Sequence, residues 1–169
     1  MATTIKSGTL KTRVQESIIL DGIEQGTSTL NTFSGINSIT KRIITITTTE
    51  STIATFSAAA ASAGHYVAAD ARYIRFTNKD DANFITLTFR NQDNDEVAIK
   101  LDAGQSFIWN GDNSGGMVDV FNATQDADAA SDTALGDLTN IQADANTASC
   151  AMEIFIASVE NGGVWKKKQ

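Results

Sequence analysis

Proline is absent from this chain of 169 residues, where average usage of about 5% would place about eight, and β-branched residues crowd its first third. Fourteen of the 21 threonines lie in the first 55 residues, Thr45, Thr47, Thr48 and Thr49 among them. A branched Cβ stiffens the side chain and suits a pleated, half-exposed surface better than a helix. The N-terminal third therefore reads as strands.

Period-two alternation extends that reading. From Thr12 to Asp21 the set Val14, Glu16, Ile18 and Leu20 alternates with Gln15, Ser17, Ile19 and Asp21, and Asp21-Gly22 follows as a turn signal. A second long strand is expected from Ile39 to Thr49, with Ile44 and Ile46 on the face of Thr40, Arg42 and Thr48. Tyr73–Asn78 and Phe84–Asn91 alternate clearly, and the short polar connector between them predicts a hairpin. Val97, Ile99 and Leu101 mark the next strand, and Ser106–Trp109 the one after Asp102-Ala103-Gly104-Gln105. Ala148–Val159 closes the series, with Cys150, Met152, Ile154 and Ile156 on one face. Two segments break the rhythm: Ser57–Ala71 reads as a loop, and the Ala/Asp-rich stretch Asn122–Thr147 as an excursion with at most one helical turn.

The expected fold is all-β, an antiparallel β-sandwich of jelly-roll-like kind with long Ala/Asp-rich loops. Residues 1–160 are expected to form one domain, followed by a C-terminal tail, 161–169, that is flexible or docked on a partner. No apolar run approaches the roughly 18 residues of a membrane helix, and Met1–Lys6 lacks the apolar stretch of a secretory leader. A soluble product of the cytoplasm, with no membrane partner, is the expectation.

Charge and residue inventory narrow the function. Residues 1–100 carry ten Lys/Arg and ten Asp/Glu, whereas Leu101–Trp165 carries ten acids and no base, and Lys166-Lys167-Lys168 then adds three positive charges. The sum is the net −7 of the whole chain. A nucleic-acid partner is not expected, since phosphate neutralisation needs clustered bases and the one cluster is terminal. Cys150 is the sole cysteine and His65 the sole histidine, so intrachain disulfides and multi-cysteine zinc sites are excluded and a histidine-based triad is disfavoured. Asp126–Asp132 lacks the glycine and terminal Glu of an EF-hand loop, while Asp93–Glu96 and Asp112-Asn113 read as polar turns. Gly111–Gly116 lacks the Lys-Ser/Thr of a phosphate loop. The expectation is a non-enzyme with no catalytic residue, cofactor or metal. Contact residues are sought instead in Trp109, at a strand end, and in Trp165 with Lys166, Lys167 and Lys168, as an aromatic peg with cationic flanks.

Five segments carry a family resemblance: Glu16–Gly22, Gly35–Asn37 with Lys41–Ile46, Tyr73–Asn78, Leu101–Phe107 and Glu153–Ser158. In these the chain resembles small β-rich virion structural proteins of tailed bacteriophages, of the marine or cyanophage type. The resemblance implies a virion component, synthesised in the host cytoplasm, that contacts other capsid or tail proteins as a decoration, neck or tail part. Homo-oligomerisation is expected, because symmetry multiplies modest interfaces. The competing expectation is a carbohydrate- or receptor-binding module of a host-attachment structure, using Trp109 and loop acids. A glycosidase built on two carboxylates ranks third.

Overall fold

In the computed structural model, residues 6–58, 64–123 and 135–159 are described. Their regular structure is β, apart from a single 3-10 turn, η1 (Ala68–Asp70). Two larger sheets form the body. One has the order β10 (Glu96–Leu101), β9 (Ile85–Asn91), β12 (Leu138–Ala145), β6 (Ser51–Ser57), β7 (Tyr66–Val67). The other runs β11 (Ser106–Asn110), β8 (Ala71–Asn78), β13 (Cys150–Ser158), β5 (Ser38–Ile46). Every pairing is antiparallel except the short parallel contact of β6 with β7.

The core is the sum of one face from each sheet. Ile74 and Phe76 of β8 with Cys150, Met152, Ile154 and Ile156 of β13 meet Ile85, Leu87 and Phe89 of β9 with Ile141, Ala143 and Ala145 of β12 in one buried cluster. Alternation is the cause: on β13 the even positions are solvent-free, and Glu153 between them stays on the outer face. Strand β13 is central, flanked by β8 and β5, which accounts for its apolar residues on both faces.

The Tyr73–Asn78/Phe84–Asn91 hairpin is corrected. Strands β8 and β9 belong to different sheets, and Phe76 meets Phe89 across the core with ring centroids 6.4 Å apart. The connector crosses between sheets because Asn78, fully buried at the end of β8, donates from Nδ2 to the carbonyls of Asn83 at 2.8 Å and Leu101 at 3.2 Å. Its Oδ1 accepts from the Asp80 amide at 3.0 Å, so one side chain shapes the whole exit. The true hairpin is the next one, β9 with β10, around Asn91. There the buried Asn91 amide bonds the backbone of Asp93, Asp95 and Phe121.

The Ala/Asp-rich excursion needs a second correction. Its later part is β12, a central strand between β9 and β6. An irregularity between Leu138 and Asn140 shifts the register, so Leu138 and Ile141 are buried three positions apart before alternation resumes at Ala143 and Ala145. Part of the stretch, 124–134, lies outside the described residues, as does 59–63 of the first loop.

The remaining strands stand apart from both sheets. Strand β1 (Gly8–Gln15) pairs with β4 (Ser28–Ile36), and β2 (Ile19–Leu20) with β3 (Ile23–Glu24). Together they make a single long hairpin, from Gly8 out to the Asp21-Gly22 turn and back to Ile36. The continuous strand expected over Thr12–Asp21 is thus interrupted after Gln15.

Candidate interaction arm and groove

Among the described residues the hairpin is anchored at its base. Phe33 and Ile36 of β4, with Leu10 of β1, pack on Tyr73, Phe155, Ala157 and Val159 at the outer face of the β8/β13 sheet. Phe33 lies 6.0 Å from the Tyr73 ring, and Tyr73 meets Phe155 edge-on at 5.8 Å. Beyond Thr12 and Asn31 cover is lost: Val14, which continues the inward face of β1, is 45% exposed. From Val14 outward the hairpin is an arm.

Local chemistry holds the arm in shape. Asp21 (φ 51°) and Gly22 (φ 79°) both adopt positive φ, the conformation of a two-residue turn that matches strand twist. Midway, a kink is closed by backbone bonds from Glu16 to Thr27 and from Gln25 to Ile18, and by the Glu24 carboxylate. Glu24 Oε1 accepts from the amides of Ile18 at 3.1 Å and Gly26 at 2.7 Å. A Cβ at Gly26 would stand 2.1 Å from the Glu16 carbonyl oxygen, so only glycine lets the strands approach there.

The tip is unusual in what it shows to water. Ile18, Ile19, Leu20 and Ile23 are 56%, 70%, 60% and 62% exposed, and no side chain of the body covers them. Isolated exposed aliphatics are ordinary, but four within six residues on a two-stranded ribbon make a patch, and such patches mark contact sites. A free two-stranded hairpin is also marginal in water without packing on something. Among the same residues stand Glu16, Asp21 and Glu24, and no Lys or Arg occurs between Arg13 and Lys41.

Under the hairpin's base, between β1 and the outer face of the β8/β11/β13 sheet, lies a groove of about 360 Å³. Its floor is Tyr73, Ile108 and Phe155, and its polar rim includes Lys11, Arg13 and Arg75, with no acidic residue in the lining. Arg75 is committed to Glu153, which it holds below the usual carboxylate range through their hydrogen bond, and Glu153 also meets Lys41 at 3.7 Å. Lys11 and Arg13, both exposed, form no ion pair among the described residues, and they give the groove its positive sign.

The residues singled out from sequence are elsewhere. Trp109 is half-buried at the open mouth of the core, 5.1 Å edge-on from Phe89 and 6.2 Å from Phe121, and it helps line an apolar cavity of about 160 Å³. Its ring packs against three aromatic neighbours within the fold. Trp165, Lys166, Lys167 and Lys168 lie outside the described residues, as does Asp126–Asp132. Asp112 Oδ1 accepts from the Ser114 amide and hydroxyl and the Gly115 amide, bonds that lower its pKa to about 2, so this carboxylate is occupied by its own turn. His65 Nδ1 lies 3.1 Å from the Ser57 hydroxyl. Cys150 is buried, which pushes its thiol up. Among the described residues no three His, Cys, Asp or Glu gather as a metal site requires, and no helix is long and apolar enough to cross a membrane.

The arm escaped the sequence reading because exposure does not follow from alternation. Its available signal was Ile18-Ile19-Leu20, three aliphatics in a row on both faces of a strand that ends at a two-residue turn. Comparison with known proteins adds no neighbour: no family model, no curated protein and no solved structure matches the chain.

Proposed function

We propose that this chain is a non-enzymatic structural protein of a tailed-bacteriophage particle, a capsid decoration or a neck or tail component, that works through protein–protein contacts on a jelly-roll-like β-sandwich body. The observation that carries the reading is the arm, a hairpin whose apolar tip no described residue of the body covers, a surface suited to contact with another molecule. The family resemblance of the strand-and-turn segments supplies the particle. Sheet edges add a second contact resource: β5 has one neighbour in its sheet, and its outer face presents Ile39 and Ile43 at 59% and 64% exposure on either side of Lys41.

Mass spectrometry of purified particles from the phage that encodes the chain tests the reading. The expected result is the chain at a fixed ratio to the capsid or tail subunit. Particles that lack it, while the infected cell contains it, overturn the proposal. Incorporation is expected to fall when the tip is made polar by Ile19→Thr with Leu20→Thr.

A further inference from the structure

The exposed tip and the basic groove are complementary in both chemistry and place. The tip offers Ile18, Leu20 and Ile23 beside Glu16, Asp21 and Glu24. The groove offers Ile108 and Phe155 beside Lys11 and Arg13, without a lining acid. Apolar surface meets apolar surface, and a local charge of −3 meets one of +2 once Arg75 is assigned to Glu153.

Within one molecule the two do not meet: the groove lining holds no residue between Val14 and Asn31, and Ile18, Leu20 and Ile23 stay exposed. Lys11, Arg13 and Val14 of the arm's own first strand form part of the groove wall. At a rise of at most about 3.3 Å per residue, Leu20 lies up to roughly 30 Å along the ribbon from Lys11, on the far side of the kink after Gln15. A paired ribbon does not fold back through its own base. The complement of the tip is therefore the groove of another copy.

We propose that the arm of one copy docks by its tip into the Lys11/Arg13 groove of a second copy. This deepens the reading above, on which it rests, by naming the partner of the arm. The contact is heterologous, because tip and groove are different surfaces, so each copy gives an arm and receives one. Repetition closes into a ring or continues as a stack, according to the rotation between copies. A groove of about 360 Å³ is within the range of clefts that accept side chains, and the flanking charges set register and speed encounter.

Two variants and their mixture test this. Leu20→Thr with Ile23→Thr removes the apolar tip while keeping strand-compatible residues. Lys11→Glu with Arg13→Glu reverses the groove at exposed positions. Light scattering and sedimentation are run on each to about 1 mM, with thermal unfolding to check the fold. The wild type is expected to associate with concentration and less so at high salt, and each variant to lose association by at least about tenfold. The decisive arm is the mixture: the groove variant retains an arm and the tip variant retains a groove, so together they form a heterodimer that grows no further. A wild type that stays monomeric overturns the copy-to-copy contact but leaves the particle reading to the mass-spectrometric test. Variants that associate like the wild type overturn the proposal, as does a mixture of two monomeric variants that forms no heterodimer.

Discussion

Replacing Phe33 by alanine separates the arm from the body. Phe33 is 4% exposed and is the largest side chain that the hairpin gives to the small cluster joining it to the sheet, with Tyr73, Ile36, Ala157 and Leu10. Truncating a buried phenylalanine costs about 3–5 kcal/mol, and a thin layer between ribbon and sheet relaxes more than a deep core, so about 3 kcal/mol applies. The remaining anchors are Ile36, fully buried, and Leu10, half-buried, worth about 2–4 kcal/mol between them by burial. They face the ordering cost of the ribbon, so the arm of the variant opens locally. A loss of about 3 kcal/mol raises the open population roughly 150-fold. Native-state hydrogen exchange measures this amide by amide. Protection of the β1 and β4 amides is expected to fall by about two orders of magnitude, while β9 and β12, whose core lacks Phe33, keep theirs. An equal loss across β9 and β12 would show that arm and body unfold as one unit and would refute the reasoning.

Three further outcomes follow from the geometry. Trp109→Ala is expected to cost about 3 kcal/mol in chemical denaturation, through lost packing on Phe89, Phe107 and Phe121, and to leave a glycan array as silent as the wild type; wild-type glycan binding that this change abolishes would favour the sugar-binding reading instead. Asn78→Ala strips partners from two carbonyls and an amide at a buried crossover, a cost of about 3 kcal/mol in urea unfolding; a change under about 0.5 kcal/mol would show that water replaces the side chain. Asp112 has a folded pKa of about 2, below its unfolded 3.8, so its stabilising contribution is full above about pH 4 and disappears as pH falls through 2. Asp112→Asn keeps an acceptor for the turn but does not titrate, so the stability gap between wild type and variant should close over that acid window, and a gap constant from pH 5 to about 2 would reject the assignment.

The strands that alternate cleanly were legible in the sequence, and the reason is burial on one side. Cys150, Met152, Ile154 and Ile156 face the core at every second residue, as do Ile85, Leu87 and Phe89, and their residue types alone report it. Strand β12 was not legible, because an irregularity near Thr139 breaks the period and two of its core residues, Ala143 and Ala145, are small. Sheet membership was not legible either. Alternation tells which residues of β8 and β9 are inward, yet it is the same whether the strands pair side by side or face each other, and the deciding group was the buried amide of Asn78.

The arm and the central strand β13 show why interaction surfaces hide in sequences of this kind. Both carry apolar residues on both faces: Ile154, Phe155 and Ile156 in one, Ile18, Ile19 and Leu20 in the other. In β13 neighbours on two sides and the hairpin base above leave Phe155 half-buried and the isoleucines inaccessible. At the arm tip the same pattern has a single partner strand and, among the described residues, nothing on either face, so every aliphatic is exposed. What separates the two is the turn. A two-faced apolar run that reverses at Asp21-Gly22 pairs first with its own return, Ile23, and a ribbon closed in this way enters a sheet only if one of its outer edges is taken up. Here the body's sheets take up neither β2 nor β3, and among the described residues the apolar faces stay exposed.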